Sequence, residues 1–167
     1  TLPQGSMSSA VRLRSVLNGL LEDRLLDDPE TLHFALEPDA RVGAPAWVAA
    51  CSRIWLRSAV QALEAAGRRV TRIVPEFAPQ PAGSPPLLFA IGDPDAALCV
   101  VCSADGVATL PLDATGLALA GPLPADSTAL AEPAVAELAE SVLGGPVPII
   151  KPAERWLQAS RSPWDLA

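Results

Sequence analysis

The chain has 167 residues, half of them hydrophobic, with 12 Lys and Arg against 19 Asp and Glu for a net charge of −7. That supplies the core of one domain or two small ones, and its acidity excludes a phosphate-tracking nucleic-acid surface, which needs clustered cations. Four Trp, three Phe and no Tyr leave little for base stacking, no apolar run reaches the ~18 residues that cross a bilayer, and Cys51, Cys99 and Cys102 are odd in number and lack the framework spacing of a disulfide scaffold, so a reducing compartment is expected.

Val11, Leu13, Val16, Leu17, Leu20, Leu21 and Leu25 recur at helical spacing, with Arg12, Arg14, Asn18, Glu22 and Asp23 outward, which predicts an amphipathic helix from Ser9. Pro29 ends it near Asp27 or Asp28, because proline disfavours helical geometry in the residue before it. There Asp28 can cap, Pro29 can take the first position and Glu30 the first turn of a tight helical turn. TLHFALE then alternates Leu32, Phe34 and Leu36 against His33, Ala35 and Glu37, the period of a strand, so the sole histidine faces away from the leucines. AWVAAC reads as a buried strand, Ser52 as the N-cap of a helix over RIWLRSAVQALEAA, and Gly67 as its stop. VTRIVPE is expected as a third strand.

APQPAGSPP (Ala78 to Pro86) holds four prolines in nine residues, a composition that neither helix nor central strand accepts, and sets a boundary between domains 1–80 and 81–167. Beyond it LLFAI, AALCVVC and VATLPL, joined by the GDPD and SADG turns, predict a meander. ATGLALAG is expected to add a fourth strand, AEPAVAELAESVLGG a helix closed by Gly144 and Gly145, PVPIIK a strand and AERWLQAS a short last helix. The fold class is α/β, two small mixed-sheet subdomains with helices. Cys99 and Cys102 form a CxxC, yet residues three apart on a strand point to opposite faces, so a buried structural role is expected.

The chemistry most worth testing lies in LLEDRLLDDPETLHFAL, where Glu22, Asp23, Asp27, Asp28 and Glu30 crowd ahead of His33. A Ser-His-Asp triad would have to use His33, but no GxSxG elbow occurs. Zinc needs three or four ligands, and His33 has no His or Cys partner at ligand spacing. The carboxylates lack the alternating pattern of a calcium loop. A metal-dependent hydrolase is therefore disfavoured against a structural junction. Trp47, Trp55 and Trp156 are expected to pack in cores or interfaces, whereas Trp164, in the non-periodic SPWDLA tail, is a candidate partner contact.

Three meander strands followed by alternating helix and strand is the order of the ribonuclease H-like unit from which actin-like proteins are doubled. GLLEDRLLDDPETLHFAL, AWVAACSRIWLRSAVQALEAAGRRVTRIVPEFAP and SPWDLA together resemble the cytoplasmic region of type II secretion system protein L, the GspL or EpsL family, and Trp47 to Pro75 resembles the corresponding part of PilM. The resemblance implies an actin-like fragment at the cytoplasmic face of a bacterial inner membrane, with strands before Thr1 and a single membrane helix beyond Ala167. It implies a non-catalytic platform without cofactor or metal, tethering the secretion ATPase GspE and coupling it to GspM, with GspF, pseudopilins and a second copy as further partners. Glu22, Asp23, Asp27, Asp28, Glu30 and Trp164 are then the candidate partner-binding residues, since complementary charge sets register. The alternative is a nucleotide-binding actin-like protein of a pilus-type assembly system. Its phosphate hairpin would fall at Ile91 to Ala97, where Pro94 removes an amide, no Ser or Thr follows, and Asp95 adds negative charge.

Overall fold

In a computed structural model, which describes Leu2, residues 10–21 and residues 25–167, the leading apolar period forms helix α1 (Ala10–Leu21) and buries Leu17. The helix does not run on to Asp27: residues 25–28 are non-helical and Leu26 is fully exposed. Asp is a poor helix former, and Asp28, extended at ψ 120°, obeys the restriction that Pro29 imposes. Strand β1 (Leu32–Leu36) follows and pairs antiparallel with β2 (Val48–Ser52), placing Leu32 opposite Ser52 and His33 opposite Cys51.

Helix α2 (Arg53–Ala65) starts where its cap predicts, with the Trp55 amide donating to Ser52 Oγ at 3.3 Å. It ends in a Schellman motif: Gly67 N–H donates to Glu64 O and Arg68 N–H to Leu63 O, both at 2.9 Å, with Gly67 at φ +71°. Ser52→Ala is expected to cost about 1 kcal/mol, read as a lower urea midpoint. A midpoint equal to that of the parent would show that this cap contributes nothing.

VTRIVPE does not form the expected strand. Its partners are the chain's last residues: Leu166 N–H donates to Ile73 O at 2.8 Å, the Arg72 guanidinium donates to Trp164 O at 2.8 Å, and Ile73 N–H turns to the Asp165 side chain at 3.3 Å. A side chain in place of a second backbone rung leaves an extended contact, not a ladder. The amides of Ala167 and Ile73 hold the Asp165 carboxyl below the usual carboxylate range. Trp164 and Leu166 are buried, joining Leu2, Leu17 and Leu32 among the buried residues of this unit.

The chain divides into two compact units, Thr1–Pro75 with Pro163–Ala167, and Glu76–Ser162. This differs from a cut at 80/81, for two reasons internal to the second unit. Phe77 packs on Phe89 with ring centroids 5.2 Å apart, and the Gln80 amide donates to Ser103 O at 2.9 Å. Residues 76–80 are thereby fixed to the sheet that follows.

That sheet contains β3 (Leu87–Ile91), β4 (Leu98–Ser103), β5 (Gly106–Pro111) and β6 (Thr128–Ala131) in the order β5-β4-β3-β6, the meander antiparallel and β6 parallel to β3. ATGLALAG is not the fourth strand but helix α3 (Ala114–Ala120), capped by Asp113, whose Oδ1 accepts from Gly116 N–H at 2.8 Å. The fourth strand is TALA. PVPIIK gives a single parallel bridge of Ile149 to Ala131 instead of a strand, since Pro146 and Pro148 bring no amide donors to a ladder. Helix α4 (Ala136–Leu143) closes on Gly144 in the left-handed conformation, and α5 (Pro152–Ala159) begins where Glu154 accepts from the Lys151 amide at 3.1 Å. Both sheet faces are covered. Leu88, Ala90, Cys99 and Ala131 pack with Val135 and Ala139 on one, while Phe89, Val100 and Cys102 pack with Ile150 and Phe77 on the other.

Candidate functional site

The acidic stretch resolves into a capped turn. Asp28 Oδ1 accepts from Glu30 N–H at 2.9 Å, Thr31 Oγ1 donates to Asp28 O at 2.7 Å, and Pro29–Thr31 forms one 3-10 turn leading into β1. This is the cap, first position and first turn that the residue types predict. Asp27, Asp28 and Glu30 are exposed, and Glu22 and Asp23 lie outside the described residues. The backbone carbonyls of Glu30 and Leu32, at the turn's exit, are gripped from two helices: Arg14 of α1 donates to both, at 3.4 and 3.0 Å, and Arg53 of α2 donates to Glu30 O and, at 3.1 Å, to Leu32 O. The turn thus offers carboxylates outward while arginines hold its backbone from behind.

His33 is committed elsewhere. Its Nε2 lies 2.7 Å from Leu166 O, and because a carbonyl can only accept, Nε2 carries the proton. The strand register sets Cys51 directly across from it, a cross-strand pairing that ligand spacing along the sequence does not reveal. The pair is not an activated nucleophile: burial pushes the Cys51 thiol up, whereas a reactive cysteine needs its thiolate favoured. Among the described residues no group of three or more His, Cys, Asp and Glu is placed to hold a metal ion.

Cys99 and Cys102 fall on opposite sheet faces, one in each core cluster, as their spacing predicts. Burial raises both thiols, that of Cys102 to about 11. Burial thus disfavours the thiolate that redox chemistry or metal ligation requires.

At the Ile91 to Ala97 hairpin, the Gly92 amide donates to Glu132 Oε2 at 3.1 Å. The other oxygen of the same carboxylate accepts from Arg155 at 2.5 Å, and Arg155 also pairs with Glu76. A carboxylate of the chain itself therefore occupies the amide that a phosphate-cradling hairpin would present. The tryptophans differ sharply in burial. Trp47, Trp55 and Trp156 are 38, 63 and 58% exposed, while Trp164 is 7% exposed with its carbonyl bonded to Arg72. Sequence position could not reveal this, because Trp164 is buried only when the tail returns to Ile73.

Fold and surface together define a mixed α/β protein of two sheets whose exposed chemistry is a charged turn. No protein-family model and no curated protein matches the sequence. Its fold is that of the cytoplasmic domain of EpsL, an inner membrane component of the type II secretion system of Vibrio cholerae, which aligns over 99% of this chain and 69% of its own at a TM-score of 0.62 and 21% identity.

Proposed function

We propose that the chain is a cytoplasmic part of an inner-membrane component of a type II secretion system, serving as a non-catalytic platform that tethers the secretion ATPase GspE and couples it to GspM and the pseudopilus machinery. The observation that carries this reading is the fold likeness to the cytoplasmic domain of EpsL along 99% of the chain. The segments around the acidic turn, α2 and the SPWDLA tail support it independently. GspF, pseudopilins and a second copy are further candidate partners, and membrane attachment would come through a helix outside this chain.

The docking surface in this proposal is the exposed part of the acidic turn, Asp27, Asp28 and Glu30, with Glu22 and Asp23, which precede it in the sequence, as further candidates. It suits a basic partner face, because opposed charges steer encounter and suppress wrong partners. Trp164, being buried, stays in the interior in this scheme. The Glu132 carboxylate on the Gly92 amide speaks against the nucleotide-binding alternative.

The test is retention of the cognate ATPase by the full-length protein, alongside Asp27→Lys/Glu30→Lys, which spares the Asp28 cap. The parent is expected to retain the ATPase and the double variant to bind it about tenfold more weakly at unchanged circular dichroism. A folded parent that retains no ATPase overturns the platform role, and unchanged binding by the variant overturns docking at the turn. A melting temperature raised by Mg²⁺ and ATP would overturn the nucleotide-free reading, since any ligand of the native state stabilises it by mass action.

A further inference from the structure

We infer that a cleft of about 530 Å³ in the first unit, where Arg14, Arg53 and Arg57 converge with His33, Leu56 and Leu166, is a binding site for an acidic segment of a partner protein. Arg14 and Arg53 donate to the same two carbonyls, so their guanidinium groups are held side by side, 3.0 and 3.1 Å from Leu32 O. A carbonyl carries only a partial charge and cannot neutralise two cations. No carboxylate among the described residues forms an ion pair with either, or with Arg57 one helical turn further along α2. Arg53 Nε is buried with no hydrogen-bond partner. Three of the chain's 12 cations thus share one cleft in a protein of net charge −7.

Such an arrangement is preorganised for carboxylates, because the Arg14 and Arg53 guanidinium groups are each already held by two backbone carbonyls through one nitrogen and keep further N–H groups to donate. The walls decide between a bare anion and a peptide. Leu56 and Leu166 supply apolar surface beside the arginines, and His33 is pinned by its bond to Leu166 O. Glu64, also on the lining, places a negative charge two turns beyond Arg57 and gives the cleft polarity, with the acidic end of a ligand toward Arg14 and Arg53. The volume lies within the ~300–1,000 Å³ that takes a drug-sized ligand, enough for a few residues of chain. The occupant is therefore a short segment with Asp or Glu beside aliphatic residues. This does not rest on the secretion reading, whose proposed docking surface is the oppositely charged turn.

The experiment titrates the 167-residue chain with the acetylated, amidated tetrapeptide Leu-Asp-Glu-Leu and with its Leu-Asn-Gln-Leu twin, followed by NMR of backbone and arginine Nε–H signals. Saturable shifts at Arg14, Arg53 and Arg57 are expected, with the acidic peptide bound at least ~10-fold more tightly than the amide twin and weakened as salt rises from about 50 to about 300 mM. Arg57→Glu, on an exposed position, should reduce binding ~10-fold or more with an unchanged melting temperature, and Arg57→Lys should keep part of it. Equal binding of both peptides, absence of saturation, or indifference to Arg57→Glu overturns the site. Self-association of the chain that Arg57→Glu abolishes, without peptide binding, overturns the partner segment in favour of a second copy.

Discussion

Arg155→Ala is expected to destabilise the unit Glu76–Ser162 by about 3–5 kcal/mol, the usual consequence of removing one partner of a buried charge pair. Arg155 is 6% exposed, pairs with Glu76, donates to Glu132 at 2.5 Å and lies over the Phe77 ring at 5.2 Å from its centroid. Glu132 is 12% exposed, so the truncation leaves a shielded carboxylate with the Gly92 amide as its remaining partner. The dominant cost is that uncompensated charge, not the lost attraction. Arg155→Met, which refills the stem volume, should therefore recover little, while Arg155→Met/Glu132→Gln should recover most of the loss. Urea unfolding followed by far-UV circular dichroism gives the comparison. A loss below about 1 kcal/mol for Arg155→Ala, or a double variant no more stable than Arg155→Met, would contradict this account.

The same network marks where sequence reading stops. The Asp28-Pro29-Glu30 turn and the Ser52 cap were legible because their hydrogen bonds close within two or three residues, and cap chemistry depends on residue type alone. The meander was legible from alternation and turn residues, and the divergence of Cys99 from Cys102 from strand geometry. ATGLALAG misled because a short run of small apolar residues fits a strand as well as a helix; the signal for α3 was Asp113 placed three residues before Gly116, an N-cap pattern. The site was harder. The grip of Arg14 and Arg53 on Leu32 O spans 18 and 21 residues, and Glu132 reaches Gly92 across 40. These contacts are set by which elements fold together, and no local pattern encodes them. The tail carries the same lesson: VTRIVPE has strand composition, but the residues that satisfy it arrive from 163–167.

Gly116→Ala is expected to cost about 3 kcal/mol or more, at or beyond the upper end for overpacking, by a mechanism that needs no special backbone angle. A Cβ built on Gly116 would stand 1.9 Å from Pro111 O and 2.9 Å from Pro111 C. Both are backbone atoms at the end of β5, so no side-chain rotation can relieve the overlap, and α3 would have to lift from the strand. That lift would pull the Gly116 amide from Asp113 Oδ1, now 2.8 Å away, and remove the cap that holds this seven-residue helix. Gly19 in α1 supplies the contrast: its Cβ would meet nothing within 4 Å, so Gly19→Ala should stabilise by up to about 1 kcal/mol through helix propensity. Opposite signs for one chemical change would assign the Gly116 effect to its contact with Pro111, whereas equal signs would mean that α3 does not seat on β5 as closely as this packing requires.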